Sequence, residues 1–336
     1  MISDLSSQGI SEVDDPPRRG IKRLKSAASA SATTPQAEIQ LLNIPHAPKN
    51  QAVESRKVQV PEYPSSLFKL HTLAAFFGPR GSGKTNGCVL LAKEYVEAGS
   101  FTRVYIISPT YESNPVFEEL PTEREDVYTD ISTVLQSIAD IVRKIEEDVV
   151  MYESELAYKA AYNRVARLKE GDSMAVPDEI LLNKQNFRKP LTLPRPYPLV
   201  IIDDCSHSQI YSLSKSNPFI NLCLRHRHIG GEGYGCSIFM LVQNFKTGVP
   251  KPIRQNLQQF FIWRTADRNQ LEAMWEEFAN LVDFDTFSQI YHHATDKDRH
   301  NFLTVDMNPI DERAHFRKNF DTVLYVKNRE ELINNI

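Results

Sequence analysis

Cysteine is scarce in this chain: Cys88, Cys205, Cys223 and Cys236 are the only four in 336 residues, and none form a CxxC pair. That excludes a disulfide-stapled secreted scaffold and a cysteine-built zinc site, and places four reduced thiols in the expected interior. Long apolar runs are lacking too. No stretch approaches the ~20 consecutive apolar residues that a bilayer crossing needs. The opening MISDLSSQGISEVDD has neither the basic start nor the apolar run of a signal peptide, so an intracellular protein is expected. Nor does charge of one sign dominate. A net charge of −4 excludes a wholly basic, DNA-coating protein but leaves room for a protein that grips DNA through a few loops.

What is present divides in two. Residues 1–60 are rich in Ser, Ala, Pro and Gln and contain the low-complexity run SAASASATTPQAE, so a disordered arm is expected there. Its basic cluster, Arg18, Arg19, Lys22, Arg23 and Lys25, suits nucleic-acid contact, nuclear import or simple solvation of the tail. From Leu67 onward short apolar runs alternate with helical stretches. Residues 61–336 therefore read as one α/β domain, a mostly parallel sheet flanked by helices. Candidate strands are 72–77, 103–108, 199–203, 237–242, 260–264 and 302–305. Leu73, Phe76, Val89, Leu90, Val104, Ile106, Val200, Ile201, Phe239, Leu241, Phe261 and Ile262 form the expected core. A helical insertion at about 120–195 separates the second and third strands. In it Ile138, Val142, Ile145, Val149, Tyr152 and Leu156 recur at spacings of four and three, the seam of a coiled coil or helical hairpin. The neighbouring run Glu146, Glu147 and Asp148 reads as a solvated face.

The chemistry concentrates after the first strand. Gly78-Pro79-Arg80-Gly81-Ser82-Gly83-Lys84-Thr85 satisfies GxxxxGK[ST] in full, between a strand and an amphipathic helix. Phosphate oxygens need a cage of backbone N–H groups, and glycines let the chain bend around them. Lys84 is placed to neutralise the β- and γ-phosphates and Thr85 to offer its hydroxyl to Mg²⁺. The sequence contains no [NT]KxD, the usual reader of guanine, so ATP is the expected nucleotide.

A second half-site follows in Leu199-Val200-Ile201-Ile202-Asp203-Asp204, an apolar strand running into two carboxylates. Asp203 suits Mg²⁺, and Asp204 suits orienting and deprotonating the attacking water. Gln243, at the end of the strand Ser237–Val242, is a candidate γ-phosphate sensor. Arg225, Arg227 and Arg254 lie near element ends, where a guanidinium reaches a neighbouring subunit. The histidines interleaved with Arg225 and Arg227 lack carboxylate or thiol partners at metal-ligand spacing.

With these residues in hand, residues 76–306 resemble the viral DNA-packaging ATPases of the FtsK/HerA superfamily, in particular the poxvirus-type enzymes of large DNA viruses and virophages. The matching segments are GPRGSGKT, SPTYESNP, LVIIDDCS, RHRHIG, MLVQN and VPKPIRQNLQQFFIW. The resemblance implies a RecA/FtsK-like P-loop NTPase fold, with Lys84 and Thr85 as the Walker A pair. Asp203 would be the metal aspartate, Asp204 the base and Gln243 the sensor, with Arg227 or Arg254 acting in trans. It further implies a homo-oligomeric ring that drives double-stranded DNA into a capsid, with capsid vertex proteins as partners. Host cytoplasm, viral factory or virion is the implied location, and Lys246 and Lys251 become candidate DNA contacts. The long insertion and the Ser/Ala-rich arm depart from the pattern. A viral replicative helicase, with Asn244 as its sensor, is the alternative; a nucleotide kinase and an inactive P-loop scaffold fit less well.

Overall fold

The computed structural model describes residues 60–325 apart from 206, 207 and 215, and all of them fall in one compact unit. The expected arm and its basic cluster lie outside the described residues, save for Val60. Among the described residues nine strands make one sheet: β1 (Leu73–Phe77), β2 (Arg103–Ile107), β3 (Val127–Tyr128), β4 (Pro198–Ile202), β5 (Ser237–Val242), β6 (Gln259–Trp263), β7 (Phe302–Asp306), β8 (Phe316–Lys318) and β9 (Thr322–Val323). Their spatial order is β3-β2-β4-β5-β1-β6-β7-β8-β9. The strands from β3 across to β6 are mutually parallel, and β7, β8 and β9 add an antiparallel extension. LAAFF, PLVII, SIFMLV and QFFIW are buried at every position, as strands covered on both faces must be.

The six expected strands all form, each within a residue or so of its expected bounds. Three strands escaped the sequence reading. β3 and β9 have two residues each and β8 is Phe-Arg-Lys, too short and too polar to give a periodic signal. The antiparallel sense of β7 was equally illegible, because strand direction is set by the returning chain and not by side-chain pattern.

Among the described residues there are eight α-helices: α1 (Lys84–Glu97), α2 (Val134–Val165), α3 (Val176–Asn183), α4 (Pro218–Arg225), α5 (Phe245–Gly248), α6 (Lys251–Arg254), α7 (Arg268–Trp275) and α8 (Phe284–Thr295). One core layer joins Ala74, Phe76, Ile106, Ile201, Phe239 and Phe261 of the sheet to Cys88, Val89, Leu91, Ala92 and Tyr95 of α1. The opposite layer joins Leu73, Ala75, Phe77, Val200 and Ile262 to α2, α4, α7 and α8. The four cysteines are free and buried, as expected. Leu90 corrects the expected core, being 52% exposed. Two residues from both Cys88 and Ala92, it lies off the stripe of α1 that packs on the central strands.

The insertion seam needs a correction too. Over its first half α2 packs on the sheet and on α4, burying Val134, Ile138, Ile141, Ile145 and Val149. Its second half pairs with α3 in a small separate core of Tyr158, Ala161 and Leu182. Leu156, expected in the seam, is 41% exposed. A strict 3.5-residue seam drifts around an uncoiled 3.6-residue helix, so the buried stripe passes to Tyr158 and Ala161 as the partner changes. Glu147 pairs with exposed Arg143 as a solvated face should, but Asp148 turns inward onto Arg103 at 2.8 Å.

Candidate functional site

Parallel register brings three strand ends to one edge. Phe77 lies beside Val242 of β5 and Ile262 of β6, and Ile202 of β4 lies beside Met240 of β5. The loop after β1, the carboxylates after β4 and the amide after β5 therefore emerge together, where ligands of open α/β sheets collect. β5 stands between β1 and β4, so the carboxylate strand is one strand removed from the phosphate loop.

The loop from Gly78 to Thr85 depends on its glycines at specific points. A Cβ on Gly78 would lie 2.7 Å from Trp263 Cβ, so no side chain fits there. Gly81 and Gly83 take φ values of +75° and +97°, the left-handed region that glycine enters at little cost. Gly83 is also the N-cap of α1 and provides no side-chain cap, which leaves first-turn N–H groups for an anion. Lys84 Nζ donates to the carbonyls of Gly78 at 2.8 Å and Pro79 at 3.0 Å, folding back along its own loop. Burial lowers its pKa, while Asp203 and Asp204 pull it the other way.

Across the cavity Thr85 Oγ1 donates to Asp203 Oδ2 at 3.2 Å. Asp203 is buried, and loss of solvent pushes its carboxyl up to about 6, with the Thr85 hydrogen bond opposing. Asp204 is exposed and holds φ at +52°, a left-handed conformation that is uncommon for a residue with a Cβ. Gln243 Nε2 donates to Asp204 Oδ1 at 3.1 Å, tying the end of β5 to the end of β4.

These groups line a cavity of about 420 Å³ together with Arg80, Gly81 and Gly83. Gly78 and Pro79 contribute the carbonyls that hold Lys84, and Ser82 is buried behind the loop. Sequence reasoning missed Asn86, Thr110, Ser113, Asn114 and His300 as lining residues. Thr110, Ser113 and Asn114 belong to the SPTYESNP segment after β2, where a role was legible in principle from its position at a strand end. His300 had no local signal. It reaches the site because the turn before β7 folds back, its Nδ1 lying 3.2 Å from Ser82 O.

The arginines behave differently. Neither Arg227 nor Arg254 lines the cavity. Arg254 is held by Glu277 at 2.8 Å and by the Val249 carbonyl at 3.0 Å, an ion-pair arginine within this chain. Arg227 is exposed on the short turn His226–His228. That turn is tied by Cys236 N to His226 O at 2.7 Å, just before β5 begins, and so sits at the opposite sheet edge from the phosphate loop. His226 itself is buried with Nδ1 2.8 Å from the Cys223 carbonyl. Burial pushes it down to about 4, so it is a neutral structural histidine.

No family model matches the chain, and no curated protein sequence matches it significantly. Among solved structures it is similar to the genome packaging NTPase B204 from Sulfolobus turreted icosahedral virus 2 in complex with ATP-gammaS, at 10% identity and a TM-score of 0.41, over 75% of this chain and 98% of that one. It is similar to the pCW3 conjugation coupling protein TcpA at 13% identity and a TM-score of 0.41, over 79% of this chain and 63% of that one. It is also similar to ATPases 2 and 3 of EccC from Thermomonospora curvata, at 12% identity and a TM-score of 0.35, over 76% and 37% of the respective chains. Likeness this distant transfers no function.

Proposed function

We propose that this chain is a Mg²⁺-dependent ATP hydrolase that works as a homo-oligomeric ring motor on double-stranded DNA, packaging a viral genome into a capsid. The observation that carries the hydrolase reading is the meeting, in one cavity, of Lys84, the Thr85–Asp203 pair and the Gln243–Asp204 pair. Each part has a distinct task. Lys84, now satisfied by two loop carbonyls, exchanges them for phosphate oxygens when nucleotide enters. Asp204, exposed to water and oriented by Gln243, accepts a proton from the attacking water. Gln243 bridges the base and the strand beside the phosphate loop, so a change at the γ-phosphate alters that hydrogen bond and the strand end with it.

Thr85 and Asp203 fit a divalent cation. A hydroxyl beside a buried carboxylate is a hard oxygen donor set, and an ionised Asp203 at this depth favours a cation next to it. Bound there, Mg²⁺ would neutralise phosphate charge.

The step from hydrolysis to DNA movement rests on the sequence resemblance, above all RHRHIG, MLVQN and the IRQN segment. DNA held through its phosphates gives little sequence preference and strong salt dependence. Capsid vertex proteins as partners, and a site of action in host cytoplasm or viral factory, belong to the same reading. The deciding experiment is steady-state ATP turnover with and without long duplex DNA, for the natural protein and for Lys84→Ala and Asp204→Asn. Duplex-stimulated turnover that both substitutions abolish, without strand separation, is the expected result. Turnover coupled to unwinding would replace the packaging motor with the helicase.

A further inference from the structure

A second cavity, about 400 Å³, adjoins the phosphate cavity and shares Gly83, Asn86 and His300 with it. Its chemistry is different. One wall is a flank of α1, where Gly83, Asn86, Gly87 and Leu90 succeed one another at helical spacing. A Cβ on Gly87 would lie 3.0 Å from the Trp263 ring, so the bare helix lets the indole lie directly against it. The facing wall comes from the antiparallel extension, with Phe302 at the start of β7 and Asn319 and Phe320 just after β8. These aromatic rings brace each other, Trp263 to Phe302 at 4.3 Å and Phe302 to Phe320 at 4.9 Å between centroids.

Two amides are fixed at this wall. Asn319 Nδ2 donates to Asn301 Oδ1 at 3.2 Å, and Asn319 Oδ1 accepts from Phe302 N at 3.1 Å. Asn301 Nδ2 donates to the Asp296 carbonyl at 2.7 Å. A carboxamide has two N–H donors, so each keeps donor capacity for a ligand edge. Leu90, which the sequence pattern assigned to the core, instead presents an apolar surface to this space. His300 marks the junction, held by its Nδ1 to Ser82 O at 3.2 Å and by its own carbonyl to Trp263 Nε1 at 3.0 Å.

We propose that this second cavity receives the purine base of the nucleotide whose phosphates occupy the first, and that the antiparallel extension is the element that reads the base. The inference rests on the ATPase reading of the phosphate cavity. A polyphosphate needs the polar, amide-rich space; a flat heterocycle with hydrogen-bonding edges needs an apolar, aromatic space with a few fixed amides. The two spaces abut at three residues, as the sugar of one nucleoside triphosphate requires.

The test separates base from phosphate. Binding of ATP and of inorganic tripolyphosphate is measured for the natural protein, Leu90→Trp and Lys84→Ala. The indole of Leu90→Trp starts from an exposed position about two helical turns beyond Gly83 and enters the cavity from the end away from the phosphate loop. The expected result is ATP affinity weaker by about tenfold or more in Leu90→Trp, with tripolyphosphate affinity within about twofold of the natural protein. In parallel, 8-azido-ATP irradiated on the natural protein should label peptides spanning residues 86–90, 299–302 or 319–320. Unchanged ATP affinity in Leu90→Trp, or label confined to other peptides, overturns the base site while leaving the phosphate site standing. If neither ATP nor tripolyphosphate binds the natural protein more tightly than Lys84→Ala, the ATPase reading falls and this inference with it.

Discussion

At Asp203 burial opposes the charge that a metal-holding carboxylate needs. Its carboxyl is raised from 3.8 to about 6 because burial penalises the charged form. An acid whose folded pKa is raised binds its proton more tightly in the fold, so its penalty is absent at low pH and grows as pH rises from about 4 through 6. Above that window the ionised group destabilises the nucleotide-free fold by something on the order of 2 kcal/mol. Asp203→Asn should therefore melt higher than the natural protein near neutral pH without divalent ion. That advantage should shrink as pH falls toward 4, while the variant loses turnover. Thermal melts across that range check it, and an advantage that stays constant with pH would show that charge burial is not its origin. Asp204 is the complementary case, exposed and held by Gln243. The sequence separated the two acids only by their order at the strand tip, Asp203 for the metal and Asp204 for the water; tertiary structure added the burial of the first and the exposure of the second.

Among the elements, α2 is bound to the sheet by more than its apolar stripe. Arg103, at the start of β2, reaches Asp126 at 2.6 Å and Asp148 of α2 at 2.8 Å, while Lys144 of α2 holds the other oxygen of Asp126 at 3.0 Å. The Asp126 side chain is almost wholly buried, so it depends on these cations. Arg103→Met should destabilise the protein by about 3 kcal/mol, the low end for a broken buried pair because Lys144 remains. The loss should appear as a lower denaturant midpoint with nucleotide affinity of the folded protein unchanged, since the cluster lies away from the phosphate loop. An unaltered midpoint would mean that the apolar stripe alone secures the helix. The periodicity of α2 announced a long helix, but its partners were not legible, since the same apolar spacing serves a coiled coil, a hairpin and a helix lying on a sheet.

For the molecule as a whole, the position of Arg227 constrains any assembly. The His226–His228 turn sits at the sheet edge opposite the phosphate cavity, so Arg227 has no route to its own nucleotide. If it acts in catalysis it does so on a neighbour, which requires a head-to-tail contact that brings one subunit's strand-start edge against the next subunit's strand-end edge. A heterologous contact of this kind generates a ring when its rotation closes and an open filament when it does not. Arg227→Ala should lower turnover by a factor on the order of 10³ with ATP binding retained. Mixing Arg227→Ala with Lys84→Ala subunits should restore activity above that of either variant alone, because some interfaces then combine an intact loop with an intact arginine. A mixture no better than its parts would remove Arg227 from the site. Arg254 is a weaker candidate, since freeing it means breaking its Glu277 pair.

The sequence by itself determined the phosphate loop, the Asp203–Asp204 strand, the Gln243 strand end and the central parallel strands. Each of these is a local pattern whose physical cause, backbone bending at glycine or burial of an apolar run, acts within a few residues. Tertiary structure alone decided what depends on residues far apart in the chain. It placed β5 between β1 and β4, turned β7 to β9 antiparallel, carried His300 to Ser82 and set Asn319 and Phe320 across from α1. It also turned Leu90 from an expected core residue into the wall of a cavity, because a helix shows its period in the sequence but not which neighbours will cover its second face.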